Sequence, residues 1–304
     1  MKRIFSLLIA LIIVSTAFVA CGTQTPKEND YTLSIGVAVT ETLAKNKIAE
    51  TAAAIITDAD GKIVLCRIDC VEYTAAYGED GSLSTTAPTS KFALGDNYAM
   101  PSGSWAKQTA AFESYVIGKT QDEVAKIALE GGKATDAELV ASCTFDITDL
   151  IKAVNNAFKS SQKISFKSSA TEFKAGFSVV SAVKDSSTDD SKNAKFTATY
   201  SAAITVNDTV ILAIMDCAEA DLIGVSEEGS ASLSFAGTKR EQGDTYIMTS
   251  GAWYAQADAY AASAVGKTAA DIDGLAIEGV AGCTMPYSVY DFKAGLEAAV
   301  KGAR

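Results

Sequence analysis

Thr32 to Glu41, TLSIGVAVTE, alternates apolar and polar positions and is rich in β-branched residues, the pattern of a strand. Next, ETAAAIITD and KIVLCRIDCVEY flank Asp60-Gly61. Two apolar runs around Asp-Gly predict a hairpin. The same order returns later as TATYSAAITV, Asn207-Asp208 and TVILAIMDC. Short strands are possible near SLSTTA and ASLSFAG. The period then changes to that of a helix. Trp105, Thr109, Phe112 and Val116 share one face, Ser102 can cap the start, and Gly118 can stop it. Thr120 with Glu123 forms a capping box, and Thr268 with Asp271 a weaker one. Final helices are expected at about 148–158 and 290–300. Strands followed by helices indicate an α+β fold with an antiparallel sheet, not a doubly wound parallel one.

The pattern is used twice. MPSGSWAKQTAAFESYVIGKT (100–120) and MTSGAWYAQADAYAASAVGKT (248–268) align without a gap and share both tryptophans of the chain. IVLCRIDC ending at Cys70 matches VILAIMDC ending at Cys217, and SCT at 142–144 matches GCT at 282–284. Two tandem copies of one module are therefore expected, at 31–160 and 172–304, joined by a polar linker at 161–171. The polar insertion KDSSTDDSKNAK near the start of the second copy reads as a loop.

Lys2 and Arg3 precede an apolar run from Ile4 to Ala20, and Cys21 follows a small residue. This is a signal-peptide pattern over 1–20. The cysteine resembles the lipobox of bacterial lipoproteins, which implies lipid attachment at Cys21, a tether over 21–30, and a place on the extracytoplasmic face of the membrane. An uncleaved anchor is the other reading, although the run falls short of the ~20 residues a spanning helix needs.

Apolar residues make up 48% of the chain, enough for packed cores. The net charge of −11, with no Lys/Arg cluster, argues against nucleic-acid binding. The chain has no histidine, which excludes the usual Ser-His-Asp and Cys-His nucleophile systems. It also excludes the commonest zinc sites, and with no CxxC present no metal site is expected. An enzyme is thus the less favoured expectation.

Gly118-Lys119-Thr120 and Gly266-Lys267-Thr268 look like the end of a phosphate-binding loop, but Glu113 and Ala261 stand where its first glycine is needed. A helix stop followed by a helix cap accounts for both. Trp105 with Gln108, and Trp253 with Gln256, form i, i+3 pairs on one helical turn. Either the indole anchors the core and the amide satisfies a buried backbone group, or the pair stacks on and hydrogen-bonds a flat ligand. Cys70, Cys143, Cys217 and Cys283 fall at matching positions. Outside the membrane the simplest pairing is Cys70–Cys143 and Cys217–Cys283, with buried thiols as the alternative. Asp69 and Asp216 precede the matched cysteines, where a solvated or capping role is expected.

VASCTFDITDLIKAVNNAF and VAGCTMPYSVYDFKAGLEAAV resemble the motif-and-helix segment of the FMN-binding domain of extracytoplasmic flavoproteins. In that family a threonine carries FMN through a phosphoester. The resemblance implies Thr144 and Thr284 as flavin anchors, with Trp105, Gln108, Trp253 and Gln256 near the cofactor. The motif's Gly-Ala is Ser142-Cys143 in one copy and Gly282-Cys283 in the other. The chain is also similar to a group of clostridial lipoproteins with the same GKT and final-helix pattern. The leading expectation is a non-catalytic binding or structural lipoprotein, with a small flat ligand or a redox partner. The alternative is an FMN-carrying electron-transfer lipoprotein.

Overall fold

The computed structural model describes residues 28–77, 83–169, 173–184, 193–226, 229, 231–275, 280–283 and 288–304. The expected signal peptide with Cys21, most of the polar insertion, and Thr284 lie outside the described residues. The chain opens with strands β1 (Asn29–Thr42), β2 (Lys47–Asp58), β3 (Ile63–Tyr77) and β4 (Leu83–Thr85). Helix α1 (Lys91–Leu94), the ribbon β5 (Ala99–Met100) and β6 (Gly103–Ser104), and helices α2 (Trp105–Tyr115) and α3 (Gln121–Ala125) follow. Next come β7 (Leu129–Glu130), β8 (Lys133–Ala134), α4 (Ala137–Val140), α5 (Thr148–Lys159) and β9 (Ile164–Ser168). The later half runs β10 (Lys174–Lys184), β11 (Ala194–Val206), β12 (Thr209–Ile223), β13 (Ser232–Phe235), α6 (Lys239–Gln242), β14 (Ile247–Met248), β15 (Gly251–Ala252), α7 (Trp253–Ser263), α8 (Ala269–Asp273) and α9 (Ser288–Lys301).

The fold is α+β and its sheets are antiparallel. One has the order β4-β3-β2-β1-β9 and the other β10-β11-β12-β13. Both hairpins form where expected. Gly61 takes φ +74 in the first turn, and Asn207 and Asp208 take φ 50 and 60 in the second. In the second turn both central residues are left-handed, which matches the twist of the flanking strands, whereas in the first Gly61 alone takes that conformation and its N–H donates to Asp58 O at 3.0 Å. One expectation is corrected. The stretch 161–171 is not only a linker, because Ile164–Ser168 pairs with β1 as a fifth strand. Tyr31, Phe166 and Phe173 pack their rings together over that edge.

The two sheets pack face to face, and each carries helices on its outer face. Leu33, Ile35, Ile48, Ala52 and Tyr73 meet Phe177, Phe196, Ala198, Tyr200 and Ile214 in one shared core. The Tyr73 ring stacks on Phe196 at 4.6 Å, and its hydroxyl donates to the Thr197 carbonyl at 2.8 Å. Separate cores lie beneath α2 and α5 and beneath α7 and α9. The central strands β2 and β11 are therefore buried on both sides, which accounts for their alanine-rich runs.

Each final helix touches its sheet at a glycine. A Cβ on Gly36 would lie 1.9 Å from the Ala157 backbone nitrogen, and one on Gly176 would lie 1.7 Å from the Ala299 carbonyl oxygen. The GKT segments clip the helices to the strand starts. Gly118 N–H donates to Ile63 O at 2.7 Å and Ile63 N–H donates to Lys119 O at 3.0 Å. Gly266, Lys267 and Val210 repeat the clip at 2.8 and 2.9 Å. Capping boxes at Thr120/Glu123 and Thr268/Asp271 then start the next helices. The α2 start is corrected by two residues: Ser104, not Ser102, is the cap, because Gly103 at φ +111 carries the chain through β6 first.

Candidate functional site

A cavity of about 420 Å³ opens between the first sheet and the helices that cover it. Its floor comes from alternate residues of neighbouring strands. Lys47, Ala49 and Thr51 of β2 lie beside Cys70 and Glu72 of β3, with Thr51 opposite Cys70 and Ala49 opposite Glu72. A period of two puts these side chains on one face. Its wall is Trp105, Tyr98, Met100 and Phe145, and its rim includes Thr40, Asp146 and Asp149.

Asp69 fixes the geometry of the wall. It is buried, and its Oδ1 accepts from Cys70 N–H at 2.7 Å and from Phe92 N–H at 2.9 Å. This pins the start of α1 to β3, with Ser90 as the helix cap. Lys91 then reaches over two rings, its Nζ 5.0 Å from the Tyr98 centroid and 5.7 Å from that of Trp105. Glu72 bridges Lys91 at 2.8 Å and Lys47 at 2.9 Å, and Tyr98 donates to it at 3.3 Å. Burial would raise the Glu72 pKa, but the two lysines bring it below its ordinary value. Burial would lower Lys91, but its ion pair with Glu72 opposes this, and the ammonium stays above its ordinary value. Both groups stay charged.

The later half carries the same arrangement. Lys239 Nζ lies 4.9 Å from the Tyr246 ring and 5.7 Å from the Trp253 ring, and it pairs with Glu219 at 2.9 Å. Asp216 accepts from Cys217 N–H at 2.7 Å and from Arg240 N–H at 3.1 Å, pinning α6 as Asp69 pins α1. Asp69 and Asp216 are thus caps, and burial raises each to a pKa of about 6.

Of the residues singled out from sequence, Trp105, Gln108 and Thr144 come together. Gln108 is buried; its Nε2 donates to Gly103 O at 3.1 Å, and its Oε1 accepts from Thr144 N–H at 2.8 Å and Thr144 Oγ1 at 3.1 Å. That places Phe145, the next residue, 6.3 Å from the Trp105 ring. Trp253 is buried against Phe292, and Gln256 donates to Gly251 O at 3.5 Å. Thr284 lies outside the described residues. The cysteine bridges are a correction. Cys70, Cys143, Cys217 and Cys283 are buried and form no disulfide, as is the case for Cys66. Cys70 faces the cavity, with its Sγ directed to Val71 O at 3.7 Å, while Cys143 packs under Leu139 and Leu150. Burial raises Cys70 to about 11 and Cys143 and Cys217 to about 12, so none provides a thiolate at neutral pH.

Sequence reasoning missed Lys91, Glu72 and Tyr98 and their partners Lys239, Glu219 and Tyr246. The signal was present. SKFALGDNYAM and TKREQGDTYIM share Lys, Gly, Asp, Tyr and Met in register, just upstream of the recognised block. Glutamate also follows Cys70 and Cys217 by two residues. Among the described residues, no group of His, Cys, Asp or Glu is arranged to hold a metal ion, and no helix is long and apolar enough to cross a membrane. No protein-family model, no curated protein and no solved structure matches the chain.

Proposed function

We propose that this protein is a lipid-anchored extracytoplasmic lipoprotein of two FMN-binding-domain-like copies, acting as a non-catalytic binder whose ligand occupies the cavity of the first copy. The observation that carries this reading is the cavity itself. It is of ligand size, and it has an aromatic wall built on a lysine fixed over two rings. The same element order and the same Lys–Glu–Tyr–Trp group in both halves support a duplicated module. Its titratable groups suit binding better than chemistry: the Cys70 thiol is protonated, and Lys91 and Lys47 share one ion-pair partner, Glu72.

The second reading, a covalent FMN carrier, is favoured by the gathering of Trp105, Gln108 and Thr144. The residues around Thr144 do not fit the group. The Thr144 hydroxyl is held by Gln108, and a phosphoester there would lie beside Asp146, with Asp149 one helical turn further on.

Two measurements separate the readings. A mature protein of unflavinylated mass, with no flavin absorption in the visible, removes the carrier. Fragment screening by ligand-observed NMR then tests the binder. Hits are expected on the native chain and lost in Ala49→Phe, which projects a ring into the cavity. Hits that survive this substitution, or an absence of hits, count against the cavity as the site. Mass analysis of the membrane-extracted protein is expected to find the lipid on Cys21, and Cys21→Ser to abolish it.

A further inference from the structure

We infer that the second half holds the same site closed by its own Phe292, and that the ligand of the first half places an aromatic ring edge-on to Trp105, where Phe292 meets Trp253. One chain then offers one open site. This rests on the cavity being the binding site, as proposed above.

The two walls agree in position. Lys91 Nζ lies 5.0 and 5.7 Å from the Tyr98 and Trp105 rings, and Lys239 Nζ lies 4.9 and 5.7 Å from those of Tyr246 and Trp253. On the floor, Thr51 lies opposite Cys70 and Thr199 opposite Cys217. The final helices are in register too. The close approach at Gly36 involves Ala153 O and Ala157 N, and that at Gly176 involves Ala299 O and Ala303 N. Ala299 therefore stands for Ala153, Leu296 for Leu150 and Ala294 for Thr148.

The halves part beyond that point. Helix α5 begins at Thr148, whereas α9 begins at Ser288, six residues before Ala294 and so about a turn and a half earlier. In the first half Asp146 Oδ1 accepts from Thr148 N–H at 2.9 Å, and Ile147 N–H donates to Gly132 O at 2.9 Å, which turns the chain away from further helix. The added length of α9 carries Phe292. Its ring is fully buried, 5.4 Å from the Trp253 ring at an interplanar angle of 77° and 5.6 Å from the Tyr260 ring. In the first half that register holds Asp146, at the rim of the cavity, and Phe145 stands to one side at 6.3 Å from Trp105. The cavity is thus the space that a phenyl ring occupies against the same wall in the second half. Edge-to-face contact is an arrangement that aromatic quadrupoles favour, and a saturated ring of similar size does not gain it.

NMR titration of the full chain with 2-phenylethanol and 2-cyclohexylethanol, alike in polar group and close in shape, tests this. The phenyl compound is expected to bind about three- to tenfold more tightly, the range that one aromatic pair contributes. It is expected to shift the indole N–H signal of Trp105 and to leave that of Trp253 in place. Phe292→Ala, or Phe292→Val should the alanine variant not fold, is expected to make the Trp253 signal respond as well. Equal or tighter binding of the cyclohexyl compound, with both lost in Ala49→Phe, overturns the ring assignment while the cavity stands as the site. A Trp253 signal that moves in the native chain, or stays silent in a folded Phe292 variant, overturns the closed site. If neither compound binds, or binding survives Ala49→Phe, the cavity is not the site and this inference falls with it.

Discussion

Glu50 sits on β2 in the row that holds Ile48, Ala52, Ala54 and Ile56, facing the second sheet. It is fully buried. Its Oε2 accepts from the Tyr200 hydroxyl at 2.5 Å, and its Oε1 has no hydrogen-bond partner among the described residues. Burial raises its pKa from 4.5 to about 7, against a smaller lowering by Tyr200. The folded protein therefore keeps this proton at pH values where the unfolded chain has lost it. Stability is fully present below the unfolded value and falls as pH climbs to about 7. Asp69 and Asp216, raised from 3.8 to about 6, add losses of the same sign in a lower window. Glu50→Gln is expected to raise the unfolding free energy by about 2–3 kcal/mol at about pH 8 and to leave it nearly unchanged at about pH 4. Urea titrations at the two pH values check this, and an equal effect at both would show that the carboxylate is not the cause. The residue scale was only partly legible in the sequence. Trp105 and Gln108 stood out because one helical turn carries both and the repeat keeps them. Glu50 did not, because a glutamate in a strand gives no sign of a second sheet above it. The buried thiols of Cys70 and Cys143 were not legible for a similar reason: recurrence of a position along the sequence carries no information on which residues lie close in space.

Elements whose signal is local were legible, and those that depend on distant partners were not. Asp60-Gly61 forms a hairpin turn and Thr120/Glu123 a capping box because the interacting atoms lie within four residues. Strand β9 needs β1, more than a hundred residues earlier, and its short ISFKS gave no strong pattern. The contact of α5 with β1 is likewise non-local, and a glycine marks it. Gly36 lies in ordinary extended strand, so its lack of a side chain serves close approach and not a special φ. Gly36→Ala is expected to cost about 3 kcal/mol, since the Cβ would meet backbone atoms of α5 that cannot step aside. Gly118→Ala provides the contrast. A Cβ there has open space, but φ is +80, so the cost is a backbone one of about 1 kcal/mol. Chemical denaturation ranks the two, and the reverse order would mean that α5 does not pack as closely as described.

At the scale of the whole molecule, the repeat suggests two modules on a string, whereas the two sheets share a core. The inner face of the first sheet, with Leu33, Ile35, Ile48 and Tyr73, would be solvent-exposed without the second. The ion cluster of Arg67, Glu113 and Arg304 adds a polar tie between the halves, with Arg304 2.6 Å from Glu113 and its guanidinium 4.3 Å from the Phe92 ring. An apolar face of that extent is not sustained by a monomeric domain in water. The halves should therefore unfold together, although their sequences look like independent copies. Each half supplies its own reporter, Trp105 in one and Trp253 in the other, both buried. Ile48→Ala removes a fully buried side chain from the first sheet and is expected to cost about 2–4 kcal/mol. If the core is shared, the loss lowers the denaturation midpoint reported by Trp253 as much as that reported by Trp105, read in Trp105→Phe and Trp253→Phe backgrounds. If the Trp253 midpoint stayed fixed while the Trp105 midpoint fell, the sheets would be folding separately and the face-to-face packing would not hold in solution.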